Sequence, residues 1–107
     1  LEVLAMDIHP SQIPVSKIFN VSDYSDVTKV LKEMLALDFA KESALKVLMP
    51  KEQKLAKRIG YTIVNELNKG LRMQNYTGNI RYFVYHHDPE HYAIVFVSNE
   101  KLAKLNA

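Results

Sequence analysis

The chain has no cysteine, and only three glycines and four prolines in 107 residues. Without cysteine there is no disulfide, no thiolate zinc site and no cysteine nucleophile. The absence of thiols fits a cytoplasmic protein, though it excludes no compartment. No apolar run approaches the roughly 20 residues needed to span a bilayer. Nor does a charged segment lead into an apolar stretch and a small-residue cleavage site, so no signal peptide and no membrane partner are expected.

What remains is the composition of an ordinary globular chain, 48% hydrophobic and 24% charged,. Its length suits one domain over 1–107 with a modest core. The opening "LEVLA" resembles the start of a protease-site linker, which would make the first five residues an expression remnant and Met6 the natural start,. Net charge is only +2, but it is unevenly spread. Residues 1–49 hold five Lys/Arg against seven Asp/Glu, whereas 50–107 hold nine against five. The second half is the one suited to an acidic partner.

"QIPVSKIFNV" (12–21) reads as a short strand, with Pro14 at its start or at a sheet edge,. Ser22 and Ser25 then offer N-caps, and Val27, Val30, Leu31, Met34 and Leu35 recur at helical spacing,. Either Asp38 caps a shorter second helix through Ala44, Leu45 and Leu48, ending before Pro50, or 23–49 is one bent helix,. Pro50 is placed as the first residue of the next helix. In that helix Leu55, Ile59, Ile63 and Leu67 repeat every fourth residue, joined by Ala56, Val64 and Leu71, with Gly70 as a C-cap signal,. "IRYFVYH" and "HYAIVFV", separated by "DPE", form a β-hairpin, and Ser98 or Asn99 caps a short terminal helix,. The fold class is therefore α+β: a short N-terminal strand, two to three helices including a long amphipathic one, a C-terminal hairpin and a terminal helix.

Three groups of residues bear on function. On a helical wheel Lys51, Lys54, Arg58, Tyr61, Asn65, Lys69 and Arg72 fall within roughly 80°, opposite the apolar stripe,. Cations along one line with an aromatic among them suit a phosphate backbone, DNA or RNA, with Arg81 nearby. An ordinary solvated face that lacks acids has the same appearance. The second group is the hairpin, apolar on both faces. With Asp88–His91 as a four-residue reverse turn, Val84 opposes Val95 and Tyr82 opposes Val97. Phe83, Tyr85, Ile94 and Phe96 then share the other face. Such a face is either core, a dimer seam or a dock for a protein partner, with base stacking a further use.

The third group is "YHHDPEHY", which holds three histidines and two carboxylates within six residues. Adjacent His86 and His87 leave a strand on opposite faces, and Asp88-Pro89 begins a type I turn. The segment reads as a polar hairpin loop, so no metal, cofactor or catalytic set is expected.

"EQKLAKRIG" followed by "TIVNELNKGL" and a hairpin resembles a winged helix-turn-helix, which implies "TIVNELNKGL" as a recognition helix,. Only Tyr61 separates Gly60 from the second segment, where that motif has a turn of about 3–4 residues. The order strand, helical pair, terminal β-meander resembles RelE-like ribosome-dependent ribonucleases, which implies a small toxin. Those proteins carry a basic cluster on the sheet, where this chain has Arg81. The leading expectation is a binding or regulatory domain contacting nucleic acid through the basic helix. The alternative is a protein–protein module that dimerises or docks through the hairpin.

Overall fold

The computed structural model describes residues 8–106; the linker-like residues 1–5 lie outside them. Strand β1 is Lys17–Asn20, α1 is Val27–Leu35 and β2 is Leu45–Pro50. Helix α2 spans Gln53–Met73, strands β3 and β4 span Ile80–Asp88 and His91–Ser98, and α3 is Asn99–Leu105. The four strands form one sheet in the order β1-β2-β4-β3, in which β1 and β2 are parallel and β4 runs antiparallel to both its neighbours. No helix among the described residues is long and apolar enough to cross a membrane.

The α+β class is as expected, with one element misread. Residues 45–50 form a strand, not a second short helix or the end of a bent one. Leu45, Val47 and Met49 alternate into the core, and β2 joins parallel β1 on one side and antiparallel β4 on the other. Two-sided pairing outweighs the helix propensity of Ala, Leu, Lys and Met here, because short apolar runs carry little period of their own. Pro50 therefore ends a strand instead of opening a helix. This strand also separates α1 from α2, so the consecutive helical pair behind the ribonuclease resemblance does not form.

Helix α2 is continuous across Gly60, which removes the turn a winged helix-turn-helix needs. Nor does Gly70 stop the helix. The stop lies at Asn75, whose φ of 64° places it in the left-handed region. There the Tyr76 N–H donates to Leu71 O at 2.9 Å and the Asn75 N–H to Arg72 O at 3.0 Å. This pair of bonds is a Schellman closure built on Asn in place of Gly. In the 3-10 turn Tyr24–Asp26 that leads into α1, the acids cap rather than the serines: Asp23 accepts from the Ser25 N–H at 2.8 Å and Asp26 from the Ser22 N–H at 2.8 Å. Ser98 does cap α3, accepting from the Lys101 N–H at 3.1 Å.

Both faces of the sheet are covered. On one, α1 and α2 close over Leu45, Val47, Met49, Ile80, Ile94 and Phe96. On the other, α3 and residues 8–15 close over Tyr85, Ala93, Val95 and Val97. That answers why the hairpin is apolar on both sides: β4 is the inner strand of a covered sheet.

The two glycines of α2 make contrasting close approaches. A Cβ on Gly60 would meet the partly buried Tyr82 ring at Cδ2, 2.6 Å away, and the fully buried Ile94 at Cγ2, 3.2 Å away. On Gly70 it would meet only Leu35 Cδ2, the end of a partly buried side chain that can turn away. Alanine favours a helix over glycine by about 1 kcal/mol, and overpacking a core costs about 1–3 kcal/mol. Gly60→Ala is thus expected to destabilise in chemical denaturation, whereas Gly70→Ala is expected to be neutral or stabilising. Stabilisation by both would show that Tyr82 is not fixed over Gly60.

Candidate functional site

Because its apolar stripe is buried against the sheet, α2 presents its opposite side to solvent. Lys54, Arg58, Tyr61, Asn65, Lys69 and Arg72 are all exposed there, with Tyr61 at 63%. From Lys54 to Arg72 the row runs about 27 Å at the helical rise of about 1.5 Å per residue. Lys51 stands just before the helix, its N–H donating to Glu90 O at 3.1 Å, which ties this end to the hairpin loop. Lys57 belongs to the same surface as an exposed flank residue. A narrow sector on the wheel leaves it out, although a slightly wider one includes it.

Several of these side chains are oriented by neighbours. The Arg58 guanidinium lies 4.5 Å from the centroid of the Tyr24 ring, a cation–π contact,. The Tyr24 hydroxyl is in turn 3.2 Å from Thr62 Oγ1. Arg72 donates to Asn79 Oδ1 at 3.0 Å. Lys69 pairs with Glu66 at 3.1 Å, so one acid does reach the row from its flank. Exposed pairs of this kind are weak, and a phosphate can compete for the lysine.

Arg81 borders the group, lining one groove with Tyr61 and Asn65, but its guanidinium does not join the row. It alternates with Tyr82, which packs under α2, and therefore leaves the sheet on the opposite face, with its guanidinium 5.2 Å from the Phe83 ring centroid. The expected cluster is thus one helix face with the Arg81 guanidinium behind it.

The expected hairpin face is also divided. The register pairs Tyr82 with Phe96, Phe83 with Val95, Val84 with Ile94 and Tyr85 with Ala93. This is one residue away from the expected pairing, because a bulge between His86 and Asp88 inserts one residue on β3 only,. Phe83 and Tyr85 consequently point to the α3 side, while Ile94 and Phe96 point to α2 with no exposure. The four cannot form one seam. Tyr85 is itself buried, and Phe83 stays partly open beside Arg81.

The histidine segment closes the hairpin around Asp88, with only Pro89 and Glu90 between the two strands. The Asp88 carboxylate accepts the Glu90 N–H at 2.8 Å and lies 3.0 Å from His91 Nδ1. His86 stacks near Tyr92 and His87 near Tyr85, on opposite faces. Among the described residues no three His, Cys, Asp or Glu groups converge as metal ligands would. The hydrogen bond from His91, followed by the Glu90 amide, holds the Asp88 carboxyl below its usual range,.

A carboxyl depressed by folding stabilises above its unfolded pKa and loses that contribution as pH falls through the folded value. Asp88 is therefore expected to titrate below an ordinary aspartate by NMR, and His91→Ala is expected to move it back up. No change on His91→Ala would remove the imidazole as the cause. Set against protein-family models, curated proteins and solved structures, the chain matches none of them.

Proposed function

We propose that this protein is a binding domain that contacts DNA or RNA through the outer face of α2. The observation that supports this reading is the exposed row of Lys51, Lys54, Lys57, Arg58, Lys69 and Arg72, in which, among the described residues, Glu66 alone offers a paired carboxylate. Cations on a rigid helix meet successive phosphates without first having to be ordered, and each contact releases a condensed counterion. Exposed Tyr61 and Asn65 stand between the two cationic ends. Their aromatic face and amide suit the bases or sugars between the contacted phosphates. Such contacts mostly position a ligand, and little base discrimination is expected from them.

Six cations set an upper bound on the salt response. On duplex DNA the slope of log affinity against log salt is expected to be no steeper than about −5 to −6, at about −0.9 per phosphate contact. Binding should be seen by fluorescence anisotropy at low salt and vanish near physiological salt. The combined Lys54→Glu, Arg58→Glu and Lys69→Glu variant is expected to abolish it, while Arg81→Glu leaves it within about twofold, because that side chain is on the other face. Absence of binding at low salt, or loss through Arg81→Glu alone, contradicts the proposal.

A further inference from the structure

Strand β1 is an outer strand of the sheet, and among the described residues it pairs with β2 alone. A groove runs beside it, between the strand and α1. One end is lined by Lys17, Ile18, Phe19, Glu33, Ala36 and Leu37. The other is lined by Ile18, Phe19, Asn20, Asp26, Lys29, Val30 and Glu33. Ile18 is 57% exposed. An outer strand with an exposed isoleucine is a template for adding a strand. A four-residue edge by itself does not say which strand is added.

The charges do. Glu33 is common to both ends, and the chain through α1 runs from Asp26, before the helix and beside Asn20, to Leu37, after it and beside Lys17. The charged side chains therefore follow one another along the groove as Lys17, Glu33, Lys29 and Asp26: plus, minus, plus, minus. Read from the other end, that series has every sign inverted. A copy of the same groove laid against it in the antiparallel sense sets Lys17 opposite Asp26 and Lys29 opposite Glu33, each twice. Laid in the parallel sense, it sets like against like.

We infer that the β1 edge is a self-association surface, and that its occupant is β1 of a second copy paired antiparallel about a two-fold axis perpendicular to the sheet. Residues with even-numbered sums then face one another, such as Ile18 with Asn20, so each sheet face continues into its partner's. The helices α1 of the two copies come side by side in one layer. A two-fold interface uses the same patch on both copies, which is why a sign-inverting series is what it needs. Asp26 also accepts the Ser22 and Asp23 amides, which fixes its carboxylate at the end of the row. At the other edge of the sheet, β3 carries its bulge, a device that disfavours edge pairing,.

The test is sedimentation equilibrium of the full chain over a concentration series, with three variants at exposed positions of α1. Lys29→Glu alone, or Glu33→Lys alone, sets like charges together across the axis and is expected to weaken the dimer about tenfold or more. The double variant, Lys29→Glu with Glu33→Lys, gives plus, plus, minus, minus. That series again inverts on reversal, so dimerisation should return. Both positions face solvent, so far-UV circular dichroism is expected to be unchanged in all three. A monomer at every concentration overturns the inference. So does a dimer indifferent to both single reversals, or one that the double variant fails to restore.

Discussion

The structure depends on one strand being buried on both faces and paired on both edges. In β4, Ala93 through Ser98 are all buried. Their backbones pair with β2 on one side and β3 on the other. Full burial of a side chain such as Ile94 or Phe96 is worth about 1.5–3 kcal/mol, and the strand supplies several of them to two separate cores. Neither core closes without its own cover. The amphipathic helices provide the cover on one side, and α3 with residues 8–15 provides it on the other. The aromatic density of the hairpin is explained by that double cover before any partner is invoked.

With both sheet faces used for packing, the surfaces left for recognition are the outer helix faces and the sheet edges. The charge pattern separates them. The outer face of α2 is mainly cationic, with Glu66 at its flank, which suits a polyanion,. The β1–α1 groove alternates in sign, which suits a copy of itself. The two surfaces are compatible, since α1 and α2 occupy the same layer over the sheet. A pair joined through β1 would therefore carry both α2 helices on one side of a continuous sheet.

Legibility in the sequence followed the strength of local periodicity. Helix α2 was plain, because its every-fourth-residue stripe has only one solution, and its exposed basic face followed from the same wheel. Residues 45–50 were not, because their pairing with β1 and β4 is a long-range fact and their composition suits either state. The hairpin was clear in outline through Asp88-Pro89, but its facing pairs were displaced by the His87 bulge. A strand covered on both sides carries no polar residues to mark which face is which, so nothing local corrects a shift of one. Arg81 groups with the basic face in the sequence because neither the helical wheel nor the strand alternation says which face of the sheet α2 covers. The β1 groove was invisible because its charges come from a strand and a helix that only the fold brings together.

The claim beneath all of this is that β4 is central and covered on both sides, and native-state hydrogen exchange addresses it directly. The amides of Ile94 to Val97 are expected to exchange only through global unfolding, at the free energy found in denaturant titration. Those of the hairpin tip and the outer strands should exchange through smaller openings. Exchange of the β4 amides as fast as those of the hairpin tip would contradict the account.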